Sequence, residues 1–262
     1  MLETILRRDR NIVALALALI TALAWIYLLR LNATMSAPVM PSMPGMEMGP
    51  ASQPFAPMEL VYAVVMWAVM MVGMMTPSAA PMILLYARVG RQARAQGAVF
   101  AATGWFAAGY LAIWIAFALV AAVAQAALTK MMLITPATAI GNIRIAGALL
   151  LVAGIWQWLP LKDACLSQCQ SPFAFLQRAG GFRRSAMQAL AQGAKHGFYC
   201  LGCCWALMLL LFVGGVMNLL WVAGLSIFVL LEKLVSNGRF ITRGAGLAAI
   251  LAGLIFLGKS LI

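Results

Sequence analysis

The string His196-Gly-Phe-Tyr-Cys200-Leu-Gly-Cys203-Cys204-Trp205 places the only histidine of the chain and three of its five cysteines inside an otherwise apolar segment. Read as a helix, positions 196, 200, 203 and 204 stand at i, i+4, i+7 and i+8 and share one face. Imidazole and thiolate together select zinc or copper, and thiolate in particular suits Cu(I). Buried cysteines also have a plain packing explanation, because a free cysteine behaves as a small hydrophobe. The neighbours favour chemistry. Lys195 and His196 are ionisable groups in an apolar run, where such groups are functional by default. Gly193 and Gly197 leave room for a second helix to approach, and Glu232 is expected to pair with Lys195 or His196.

Methionine supplies a second kind of soft donor. Met35, Met40, Met43, Met46 and Met48 are interleaved with Pro38, Pro41, Pro44, Pro50, Pro54 and Pro57, a composition that suits neither helix nor strand and reads as an extended external loop. A thioether is not lost to protonation and serves as a Cu(I) ligand where a thiol would be oxidised. Met40, Met43, Met46 and Met48 are therefore candidate capture ligands, the alternative being a linker with incidental methionines. In the next apolar run Met66, Met70 and Met74 repeat at i, i+4 and i+8, with Met71 and Met75 beside them. That row could line the path of a soft ion, but on its own it favours ordinary packing. Thr76-Pro77-Ser78 and Pro81 then interrupt the same run, freeing carbonyls that need partners. Cys165 and Cys169 fall in a polar stretch, 161–193, that reads as a cytoplasmic loop with reduced thiols. Taken alone, that pair is a weak signal.

The elements that must position these residues are membrane helices. Hydrophobic residues make up 65% of the 262 positions and charged ones 9%, which excludes an ordinary soluble domain. Apolar runs near 11–31, 58–86, 98–128, 141–160, 194–217, 219–236 and 244–262 approach or exceed the roughly 20 residues that span a bilayer, so the expectation is an all-α bundle of about seven transmembrane helices. The net charge of +12 is a topology signal: Arg7, Arg8, Arg10, Arg88, Arg91, Arg94, Lys162, Arg178, Arg183, Arg184, Lys233, Arg239 and Arg243 are expected in alternate short loops, which puts the amino terminus in the cytoplasm and the carboxyl terminus outside. Nucleic-acid binding is excluded on the same ground.

The resulting division is an anchor helix over 1–31, the external methionine-proline loop over 32–57 and a six-helix metal-binding membrane domain over 58–262. The first run is longer than a signal-peptide core and lacks a close small-residue cleavage site, so it is expected to stay as an anchor. Val216-Met217-Asn218-Leu219 joins two runs as a tight antiparallel hairpin. Six carboxylates and one histidine leave little for general acid-base catalysis, and an enzyme is not expected.

Met66-Trp67, Met70-Met71 and Met74-Met75 followed by Pro77-Ser78 and Pro81, then Pro160-Leu161-Lys162, Cys165 and Cys169, then Tyr199-Cys200-Leu201-Gly202-Cys203-Cys204-Trp205, Gly215-Val216-Met217-Asn218 and Glu232-Lys233 together resemble a bacterial family of predicted metal-binding integral membrane proteins. That family, long carried as a domain of unknown function, includes proteins regarded as copper chaperones for tyrosinase-type copper oxidases. The resemblance covers about residues 58–236 and implies copper handling. Gln170 departs from it, standing where a basic residue is expected. The expected protein is thus a multi-pass protein of the bacterial inner membrane, surrounded by lipid, that binds copper as Cu(I) and passes it to or from a copper enzyme. Two other classes stay open: a membrane thiol-disulfide relay among the five cysteines, and a non-catalytic accessory subunit of a membrane copper oxidase.

Overall fold

The computed structural model describes residues 2–36, 57–97, 101–134, 139–178, 185–235 and 239–260. Met40, Met43, Met46 and Met48 lie outside the described residues. Those described form helices α1 (Leu2–Ser36), α2 (Pro57–Ala95), α3 (Thr103–Lys130), α4 (Ile143–Trp156), α5 (Pro160–Gln170), α6 (Pro172–Arg178), α7 (Ala186–Gly214), α8 (Leu219–Leu234) and α9 (Arg239–Lys259). The only extended pairing among them is an isolated bridge between Ile134 and Ile140.

The all-α class is as expected, but the division into spans is not. Five helices, α1, α2, α3, α7 and α9, are long and apolar enough to cross a membrane, and α4 with α5, bent by 66° between them, would make a sixth as one broken span. Two of the seven expected spans are short, α4 at 14 residues and α8 at 16. The supposed loop 161–193 is also mostly helix. Pro160 opens α5 with Asp163 in its first turn, and the Ser185 hydroxyl caps α7 by accepting from the Gln188 N–H. Proline at the first helical position and serine at the N-cap are start signals that outweigh the polar composition.

Glycines set the two closest helix crossings. A side chain on Gly109 of α3 would run into the Leu190 carbonyl of α7, and one on Gly193 of α7 into the Phe106 carbonyl of α3. Gly197 meets Tyr110 and Ile113 of α3 in the same way, so the expected close neighbour of α7 is α3. The α4–α9 crossing repeats the device with Gly147 and Gly154 against Gly253 and Gly246. Small residues let helix backbones touch where burial from water offers no driving force.

α2 runs unbroken through Pro77 and Pro81, and two of its carbonyls just before Pro77 accept bonds from neighbouring helices. The Tyr110 hydroxyl of α3 donates to the Met75 carbonyl at 3.1 Å, and the Ser226 hydroxyl of α8 to the Met74 carbonyl at 3.4 Å. The α7–α8 hairpin forms as expected. Gly215 turns it at φ 89°, Asn218 caps α8, and the Trp221 indole donates back to the Leu210 carbonyl at 2.7 Å.

Candidate metal centre

α7 buries the face that its spacing marks out. His196, Cys200, Cys203 and Cys204 are all at most 2% exposed. The thiols of Cys203 and Cys204 donate to the Cys200 carbonyl at 3.0 and 2.9 Å, the back-bond open to a small polar side chain one turn on. The Cys200 sulfur meets two groups from other helices: the Tyr110 hydroxyl of α3 at 3.1 Å and the Lys233 ammonium of α8 at 2.9 Å. Lys233 also donates to the Ser78 hydroxyl of α2 at 3.0 Å. α3 and α8 both pack on α2, and Tyr110 and Lys233 carry that contact across to α7.

α5 adds the remaining cysteines. Lys162, Cys165, Leu166 and Cys169 stand at i, i+3, i+4 and i+7 on one face of it. The Cys169 thiol lies close enough to those of Cys200 and Cys203 for the three to interact electrostatically. Cys165, half-buried, lies against Gly202, where any side chain on α7 would crowd its sulfur. All five cysteines are free thiols. Among the described residues, no group of three or more His, Cys, Asp and Glu side chains is arranged to hold a metal ion.

His196 sits one turn before Cys200 in an aromatic box, its ring centroid 5.0 Å from Phe175, 5.8 Å from Tyr110 and 6.1 Å from Phe106. Its Nδ1 is buried without a hydrogen-bond partner. Met66, Met70, Met71, Met74 and Met75 are all buried, four of them at most 1% exposed, in the same apolar core as Cys200, Cys203 and Cys204. Trp67 of α2 packs on Phe212 of α7 at 5.2 Å and donates its indole N–H to Gln125 of α3 at 2.6 Å.

The expected pairing of Glu232 is corrected by the structure. Its carboxylate binds Lys162 of α5, at 2.8 and 3.0 Å to the two oxygens, with both side chains almost fully buried. Lys162 also donates to the Gln157 side chain. Lys195 faces outward and His196 inward toward the aromatic rings. The expectation failed because it treated 161–193 as a loop and so left Lys162 out of the bundle. Consecutive helical residues point about 100° apart, so Glu232 turns to α5 while Lys233 turns to the thiols. Gln170, in place of an expected base, donates to the Glu232 and Val235 carbonyls at 2.8 and 3.3 Å and closes the end of α8. Tyr110, Ser78 and Lys162 are site neighbours that spacing alone did not single out. Pro160, a helix-start signal, was the one available hint for Lys162.

A family model described as PpoB2, copper chaperone, matches residues 64–256. No curated protein and no solved structure matches the chain.

Proposed function

This chain belongs to the PpoB2 copper chaperone family, and from that premise we propose that it is a multi-pass protein of the bacterial inner membrane that carries Cu(I) as cargo to a copper enzyme. Cys200, Cys203 and Cys169 hold the ion, with Cys204 and His196 beside them. The observation that carries this reading is the approach of Cys169 on α5 to Cys200 and Cys203 on α7. Sulfur donors on two helices suit a soft ion that needs few ligands and must later leave. The buried, partnerless Nδ1 of His196 adds a donor with no structural employment. Cys165, the outer thiol of α5, serves as the exchange point. The buried row Met66, Met70, Met71, Met74 and Met75 lines the ion's surroundings, and Met40, Met43, Met46 and Met48 capture it outside.

Charge supports the same reading. Two or three thiolates on one Cu(I) carry a net negative charge, which is costly in an apolar interior unless a cation faces it. Lys233 stands 2.9 Å from the Cys200 sulfur and supplies that cation. Ligand thiols must lose their protons to bind, so loading releases protons and is pH-dependent.

The test is Cu(I) competition against a chromophoric chelator, using reduced, detergent-purified protein. Replacing Cys200, Cys203 and Cys204 together with serine is expected to abolish tight binding while the protein stays inserted and folded. Retention of one Cu(I) at unchanged affinity would move the site to the methionines of α2. The proximity of Cys169 to Cys200 and Cys203 also favours a second reading, a thiol-disulfide relay through mixed disulfides. A protein isolated without bound metal but with a mapped disulfide from Cys169 to Cys200 or Cys203 would select the relay.

A further inference from the structure

Away from the thiols, the break between α4 and α5 and the first turns of α9 border an open, largely apolar groove of about 330 Å³ lined by Trp158, Arg239, Phe240, Arg243, Gly244 and Leu247, with the two guanidinium groups at its edge. Arg239, Arg243, Leu247 and Leu251 follow one another at i, i+4, i+8 and i+12 along one face of α9. Two guanidinium groups therefore head a row that becomes apolar further into the helix, where Leu247 and Leu251 are each about half exposed. Gly244 leaves open space beside them.

The arginines are held but not used up. The Arg243 guanidinium lies over the Trp158 ring, 5.6 Å from its centre, a cation–π contact that does not use its N–H groups as hydrogen-bond donors. Among the described residues no carboxylate pairs with it. Arg239 meets Asp163 at 3.6 Å with its own side chain 73% exposed, a pairing of little strength. Phe240 and Trp158, respectively 91% and 49% exposed, are the kind of residues that settle at a membrane-water boundary. The first turns of α9 occupy that level if the helix spans.

We propose that this groove seats an acidic phospholipid, with the headgroup phosphate on Arg239 and Arg243 and an acyl chain along Leu247 and Leu251. A soluble anion would have no use for a lining that is almost wholly apolar beyond the guanidinium groups. Basic pockets between membrane helices on the cytoplasmic side bind such headgroups. The proposal rests on the membrane reading but not on the copper site.

The experiment is native mass spectrometry of the intact protein, released from detergent after incubation with phosphatidylglycerol or phosphatidylcholine. Several-fold preferential retention of phosphatidylglycerol is expected. R239Q and R243Q should each weaken it roughly fivefold, in proteins whose helicity and elution volume are unchanged. Glycerol phosphate without acyl chains should fail to compete. Equal retention of the two lipids by the wild-type chain, which needs no variant, overturns the proposal. So does full competition by glycerol phosphate, which would make this a site for a free anion. Copper binding unaffected by either result would leave the reading of the thiols intact.

Discussion

Glu232 and Lys233 are neighbours in sequence and serve two buried centres of opposite character. At Glu232 the charges close on each other: Lys162 binds both carboxylate oxygens, Gln157 takes a further bond from Lys162, and Gln170 ties the adjoining backbone. At Lys233 one ammonium faces a sulfur, a serine hydroxyl lies beside it, and three more thiols and an imidazole nitrogen without a partner surround the same stretch of α7. The first centre neutralises its own charges and ties α5 to α8, although the Gln157 amide nitrogen stays buried without a partner. The second holds its thiols only in thiol hydrogen bonds and leaves the His196 Nδ1 unpaired, and on the proposed reading these soft donors would take up the metal ion.

The strongest way to break this comparison is to remove one member of the closed pair. Lys162→Met or Glu232→Leu alone should cost about 3–5 kcal/mol, because the remaining charge is left buried and unpaired, and the double replacement should recover most of that loss. Unfolding in mixed micelles followed by far-UV circular dichroism reads this out. A double variant as unstable as either single would show that the pair does more than neutralise itself.

Lys233→Met should behave differently, lowering Cu(I) affinity by about 10–100-fold, the usual effect of losing a group that supports metal ligands, with a smaller effect on unfolding than the single changes at Lys162 or Glu232. Equal copper affinity in Lys233→Met and the wild type would remove the charge argument. His196→Phe keeps the aromatic box filled and should weaken copper by about tenfold if the imidazole is a ligand. Competition titrations with and without the replacement give the answer, and no change would return His196 to a packing role.

Proton release sharpens the contrast further. Cu(I) affinity should rise with pH wherever loading displaces thiol protons, and a flat profile measured by chelator competition between neutral and mildly acid buffer would argue against thiolate ligation. The smallest effect is expected at the methionines of the methionine-proline segment. Replacing Met40, Met43, Met46 and Met48 with leucine should slow loading at low copper in stopped-flow measurements and leave the final affinity alone, since a capture loop governs encounter more than residence.

Much of this was legible in the residues themselves. Hydropathy identified apolar helices, and the 3.6-residue period placed His196, Cys200, Cys203 and Cys204 on one buried face of α7. Those inferences concern a helix and its own surface, where periodicity is a local and reliable guide. The tight hairpin before α8 and the close approach at Gly193 and Gly197 were legible for the same reason, while the helix that fills that approach, α3, was not.

Composition and period therefore determined the class of the protein, the face of α7 that turns inward and, through its motif string, the family. What they did not determine was partnership. Whether Cys169 joins the thiols of α7 and whether Glu232 takes Lys162 or Lys195 depend on the path of α5 after the 66° bend that follows α4, and which cation meets Cys200 depends on how α8 packs back on α7. A polar stretch bent back into a bundle reads in sequence as a loop, because its polar residues face one another across helices instead of facing water. Only the packed structure brings Lys162 to Glu232 and Lys233 to Cys200, each within 3 Å.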